Sequence, residues 1–337
     1  MPIEHRNAIL RLSFGVSGIF ALGLTLGWPM SVVSAVFAAL FLQAPAPPSF
    51  RITGELVFLS IWTMLLSFVI SSALVPYPIV FLAGIAIGVF LSYAWSLAGA
   101  GMLHGILTLM AVLMVPNLVL QSPDLTLLVV AWIPMNLLIA AGTTMLMFTL
   151  IPPAPLPAGA GAAAQKPEFD AKRRIARMSL VTIPFALIFF VIDSSYILSL
   201  FFVAILGQQL AAMPAAGPKV AKTMLKANAL GAVFAIAANE LTVITPLLIT
   251  PMVICLLVCL ILASLQRSTR PSAALAGSAL STFIVIYGGT IAPFADDADA
   301  QAVDRILQVG AAAIFVIIAY LVIDEFLPES KPETKSA

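Results

Sequence analysis

The stretch RLSFGVSGIFALGLTLGW, residues 11–28, sets a single arginine at the head of a long uncharged apolar run. About 20 such residues, coiled as a helix, cross the roughly 30 Å of hydrocarbon in a bilayer. The rest of the chain has the same character. Of its 337 residues, 61% are apolar and 9% charged, against about 25% charged in a soluble domain. Mean hydropathy is +1.10, and the chain reads as an integral membrane protein. Lipid offers no partner to a backbone N–H or C=O, so only helices or closed barrels can span it. The strict alternation of barrel strands is missing. The expected fold class is therefore all-α polytopic. Residues 11–28 lack a small-residue cleavage site before the next apolar segment, so they are expected to stay as a signal anchor.

A window of about 20 residues gives twelve candidate spans, near 8–27, 29–45, 52–74, 77–97, 99–120, 125–150, 175–193, 195–213, 219–240, 244–265, 271–293 and 302–327. The second is short and the break near Gly99 to Gly101 is weak, which leaves ten or eleven open. Charge favours twelve. With the N-terminus inside, every lysine and arginine except Arg305 falls on or near one face, as the enrichment of cations in cytoplasmic loops requires. Both termini are then cytoplasmic in a bacterial inner membrane. The outer side collects Asp124, Asp193, Glu240 and the acidic run ADDADAQAVD, residues 295–304.

The opening stretch has a counterpart in RMSLVTIPFALIFFVIDSS, beginning at Arg177. Each half then continues with a span ending in glutamine and a Pro/Ala-rich basic turn: FLQAPAPPSFR, residues 41–51, and GQQLAAMPAAGPK, residues 207–219. Each closes on a proline after its sixth span. Six spans per half is an even number, so two parallel six-helix repeats are expected, related by an axis near the membrane normal. The domains are then 1–151, a flexible cytoplasmic linker at 152–174, 175–328, and a cytoplasmic tail at 329–337.

The order of arginine-led first helix, Gly-Trp-Pro turn, short second helix ending near Gln43, proline loop and basic start of the third helix resembles the fusaric-acid-resistance and aromatic-acid-exporter membrane proteins. KVAKTMLKANALGAVFAI, from Lys219, is similar to the basic, Gly-containing helix start that those proteins carry after their second span. The chain departs from them in lacking a large soluble insertion between its halves, and Arg51 to Glu55 match only part of the pattern. The resemblance implies export of small organic acids alongside a periplasmic membrane-fusion adaptor.

Candidate transport residues are few. No Gly-Lys dipeptide occurs, so a P-loop is absent. Ion coupling, passive passage or an external motor remain. Ionisable residues inside a membrane are costly and functional by default. On the cytoplasmic third lie Gln43, Glu55, His104, Gln208, Gln209 and Asn228. Glu55 and His104 each sit about one turn into a span and could exchange a proton near neutral pH, since histidine titrates near 6.5. The plainer account is that both snorkel to interfacial water. On the outer side Asp193 and Glu240 form the matching set, or simply end helices. Asn136 follows Pro134 near mid-span, where a proline frees a backbone carbonyl for a ligand; an inter-helix bond is the simpler role. Lys219, Lys222 and Lys226 share one face of a helix start. They fix topology, or with that helix end they attract an anion.

These observations leave two readings. The first is an exporter of small aromatic or amphipathic organic anions, coupled to protons. The second is a non-transporting membrane subunit that anchors an envelope complex. A net charge of +1 argues against nucleic acid. Cys255 and Cys259, one helical turn apart with no neighbouring histidine, read as packing. No HExxH, GxSxG or clustered acidic motif marks an enzyme, a metal site or a cofactor. Partners are thus the lipid bilayer, the organic anion and the adaptor. The pathway runs either within one chain or between copies in a homo-oligomer.

Overall fold

The computed structural model describes residues 3–100, 102–153, 171–192, 217–270 and 272–291, with 315, 318, 319, 322, 323 and 325. Among them every regular element is helical: α1 (Ile3–Leu26), α2 (Ser31–Gln43), α3 (Phe50–Leu74), α4 (Pro78–Trp95), a π-helical segment (Ser96–Ala100), α5 (Met102–Gln121), α6 (Pro123–Leu150), α7 (Ala171–Ile192), α8 (Gly217–Ile244), α9 (Ile249–Gln266) and α10 (Ala273–Ile291). Eight are long and apolar enough to cross a membrane, so the protein is a multi-pass α-helical membrane protein.

Several expected boundaries shift. The second span is a helix of only 13 residues, Ser31–Gln43, too short to cross alone. The weak break near Gly99 falls at the π-helical segment, and α5 begins as a separate helix at Met102. The basic end of the expected linker, 171–174, is the first turn of α7. Residues 154–170 of the linker and the span at 195–213 lie outside the described residues, as does most of 302–327.

The chain divides into two compact units. One comprises Met1–Ile61, Leu128–Ala154 and Lys222–Val309; the other comprises Trp62–Leu127, Pro155–Ala221 and Gly310–Ala337. In the first, α1 packs on α2 and α9, and α10 packs on the same two helices, closing a ring of four. Close approach depends on small residues. A methyl group at Gly231 of α8 would stand 2.5 Å from the Ala279 carbonyl oxygen of α10, and one at Gly288 would stand 2.6 Å from Val32 of α2. Gly27 and Met30 both take left-handed backbone, at φ 64° and 56°, which reverses the chain between α1 and α2 within four residues. Cys255 and Cys259 are buried free thiols in α9.

In the second unit α4 packs on α5 and α7, and the π-helical segment touches all three. Its core gathers Phe81, Ile85, Val89 and Tyr93 of α4 with Leu109 and Leu113 of α5 and Met178 and Ala186 of α7. The Tyr93 and Thr182 hydroxyls share a 2.7 Å hydrogen bond that ties α4 to α7.

The helices that open the two sequence halves bury matching faces. With Arg11 set against Arg177, the pairs Leu12/Met178, Ser13/Ser179, Val16/Thr182 and Phe20/Ala186 are all buried, whereas Phe14/Leu180 and Leu22/Ile188 are all exposed. In α4 and α9 the buried residues Phe81, Ile85, Val89, Ser92, Tyr93 and Pro251, Cys255, Cys259, Leu262, Ala263 fall at one constant spacing, and α9 buries Ile254 and Val258 as well, where α4 carries Gly84 and Gly88.

Candidate functional site

The most unusual side chain of the first unit is Arg11. It sits inside the first span yet is only 3% exposed. Its guanidinium lies 3.8 Å from the centre of the Phe148 ring, a cation–π arrangement. Its Nη1 reaches the Ile151 carbonyl, at the end of α6, over a long 3.4 Å. Arg267, which ends α9, is near enough for its charge to repel Arg11. Among the described residues no carboxylate pairs with either of these arginines.

Gln43 at the end of α2 accepts a 3.2 Å hydrogen bond on Oε1 from Nε2 of Gln266, the residue before Arg267. Gly277 of α10 lies against both amides, since a methyl group there would stand 2.5 Å from Gln43 Oε1 and 3.1 Å from Gln266 Nε2. Buried donors are left over. Nε of Arg11 and Nε2 of Gln43 have no acceptor among the described residues, and a buried donor without a partner costs about 1–3 kcal/mol. The free carbonyls at the ends of α2, α6 and α9 draw cations and offset part of this positive charge. The geometry thus presents guanidinium and amide donors, with an aromatic face beside them, at one end of the unit. That donor set suits a carboxylate.

The other candidates disperse. Glu55, in the first unit, is engaged by Arg51 one turn away, with 2.9 Å between Nε and Oε1 and side chains 88% and 51% exposed. That is the snorkelling arrangement. His104, in the second unit, is half-buried. Asn136 is fully buried and fastens the α1–α2 turn. It accepts from Trp28 Nε1 at 2.9 Å on Oδ1, and donates from Nδ2 to the Trp132 carbonyl at 2.9 Å and the Pro29 carbonyl at 3.3 Å. Both amide protons and one lone pair of the oxygen are thus engaged in packing. Asn228 of α8 is buried and accepts from Thr282 of α10. Lys219, Lys222 and Lys226 stand in the first turns of α8, and Lys226 is exposed; the side chains of the other two lie outside the described set. Glu240 is exposed near the far end of α8. Gln208, Gln209 and Asp193 fall outside the described residues.

Reading the sequence by hydropathy and loop charge missed Arg11 and Arg267 as site residues because both satisfied the topology argument. The signal that marks Arg11 is its position inside the apolar run together with its counterpart Arg177, which is also buried.

Fold and site together define a multi-pass α-helical membrane protein with buried arginine at one end of its first span. A family described as a protein of unknown function (DUF2955) matches residues 8–152, which cover α1 from its second turn through α6 and stop where that helix ends. No curated protein and no solved structure matches the chain.

Proposed function

We propose that the protein is a bacterial inner-membrane exporter of small aromatic or amphipathic organic anions. The observation that carries this reading is Arg11, a cation buried in a span, with Arg267 near it, the Phe148 ring stacked on it and a donor left over. A buried charge is costly unless something of opposite sign answers it. A ligand carboxylate would take the free donors of Arg11 and Gln43, and an aromatic body would lie along Phe148. The resemblance to aromatic-acid exporters points the same way and adds a periplasmic adaptor. The cytoplasmic bias of lysine and arginine sets the site at the inner face, where an exported anion is collected.

The matching faces of α1 and α7, and of α4 and α9, support reading the halves as two repeats. The first compact unit then holds the first, second and sixth helices of the first half and the start of its third, with the third, fourth and fifth of the second half. On that reading Arg177 is the second unit's equivalent of Arg11.

The test is accumulation of labelled hydroxybenzoate in inverted vesicles, with a neutral aromatic alcohol as control. Arg11→Gln and Arg267→Gln, each at wild-type protein level, are expected to abolish anion accumulation and leave passive entry of the alcohol unchanged. Wild-type accumulation in both variants would refute the site, and no accumulation of any anion by the intact protein with its adaptor would refute the exporter.

A further inference from the structure

The second unit contains a cavity of about 370 Å³ between α3, α4 and α5, within the range of about 300–1,000 Å³ usual for small-molecule sites. Its walls include Leu66, Ile70, Leu74, Ile85, Val112 and Pro116. No ionisable side chain lines it. Three of the hydroxyls that face it are committed to backbone: Ser67 donates to the Ala111 carbonyl, Ser92 to the Gly88 carbonyl and Thr108 to the His104 carbonyl. A carboxylate would find no cation there among the described residues, so the cavity does not suit the anion assigned to the first unit.

We propose that this cavity holds an acyl chain of a membrane lipid. Its rim continues into the exposed apolar faces of α3 and α4, where Leu66, Ile70, Ile87, Leu91 and Trp95 are 44–59% exposed. These two spans are also the least buried of the eight, at 28% each, against 50–56% for α1, α5 and α6. Faces so apolar and so exposed in a membrane-spanning protein meet hydrocarbon, and the cavity opens from them. The corresponding place in the first unit carries aromatic rings. At the spacing that aligns Leu109 with Leu280 and Leu113 with Ile284, Val112 and Pro116 stand where α10 carries Phe283 and Tyr287. Those two rings are stacked at 5.2 Å, and Phe20 stacks on Tyr287 at 5.8 Å. Smaller side chains at two positions leave the hollow. A void lined by apolar groups is filled by an apolar guest rather than by water.

The experiment uses the full chain in nanodiscs of phosphatidylethanolamine and phosphatidylglycerol, doped with a phospholipid bearing a diazirine on one acyl chain. After photolysis, label is expected to concentrate several-fold in peptides of α3, α4 and α5 over those of other exposed spans. Native mass spectrometry after detergent exchange is expected to retain one lipid per chain. Ser71→Phe fills the cavity from its wall and Leu91→Trp narrows its mouth; each is expected to remove both signals. Val253→Phe, on an exposed face of α9, leaves them unchanged. Label spread evenly over exposed faces, or undiminished in both filling variants, overturns the proposal. So does concentration in α3–α5 of a photoreactive hydroxybenzoate that lipid fails to displace. Because the readout is lipid retention, it is independent of anion transport and of the site at Arg11.

Discussion

The two compact units are built from helices that bury matching faces, yet one stacks aromatic rings where the other leaves a cavity. In the first, Phe20, Tyr287 and Phe283 form a continuous aromatic stack between α1 and α10, and Gly231 lets α8 approach α10 until a methyl group would touch its backbone. In the second, valine and proline replace the two α10 rings, and a cavity of about 370 Å³ remains. Polar ties differ less. Tyr93 bonds Thr182 in the second unit and Tyr287 bonds Thr242 in the first, both at 2.7 Å. Similar helix arrangements thus tolerate opposite packing outcomes, because helix position is set by the buried stripe and close contact by a few residue volumes.

The comparison can be broken by exchanging volume between the units. Phe283→Ala removes a fully buried ring from the filled unit and should cost about 3–5 kcal/mol, read as a lowered Tm of the detergent-solubilised protein. Ser71→Phe adds a ring to the hollow unit and should change stability by less than about 1 kcal/mol, since free volume receives it. Equal losses would show that the cavity is no more accommodating than the aromatic stack.

Asn136→Leu strands the Trp28 indole N–H and the Pro29 carbonyl at a turn already held in left-handed backbone. A loss of about 2–3 kcal/mol is expected, with increased proteolysis between α1 and α2 as the readout. Gly231→Ala should destabilise by about 1–3 kcal/mol through its contact with the Ala279 carbonyl. Gly142→Ala, which meets nothing within 4 Å, should stabilise α6 slightly, by up to about 1 kcal/mol. A similar loss at both glycines would mean that helix geometry rather than close contact decides.

Smaller effects sharpen the polar half of the comparison. Tyr93→Phe and Tyr287→Phe should each cost about 1 kcal/mol by removing one hydroxyl bond. The weakest effect is expected at Glu55→Gln, which breaks an exposed pair worth under about 1 kcal/mol. Because Glu55 is bound to Arg51 in interfacial water, anion accumulation should persist in this variant. Its loss at unchanged Tm would restore Glu55 as a coupling residue.

Much of the fold was legible in advance, for a plain reason. Lipid removes every option but the helix for a chain this apolar, so composition fixes the class and hydropathy places most spans. Arg11 and Arg177, heading similar apolar runs, were visible as a pair, and the buried faces behind them followed the same spacing. The short α2 was visible as a weak span. The π-helical segment was visible only as a weak break, because hydropathy carries no information about hydrogen-bond register.

The candidate site was less legible. Glu55 and His104 stood out as rare ionisable residues, but rarity does not tell a solvated ion pair from a buried donor. Asn136 drew attention beside Pro134, and only the positions of Trp28 and Pro29 reveal that its amide is consumed. Arg11 and Arg267 were counted as cytoplasmic charges. The burial of Arg11 and its proximity to Arg267 arise from α1 and α9 packing side by side across more than 200 residues of sequence. By itself the sequence determined the solvent, the secondary structure and the sidedness expected of the charges, since each depends on local composition against a fixed slab of hydrocarbon. Tertiary structure alone decided which donors lack acceptors and which unit is hollow. Both depend on side chains meeting from distant segments, where one ring or one glycine changes the packing.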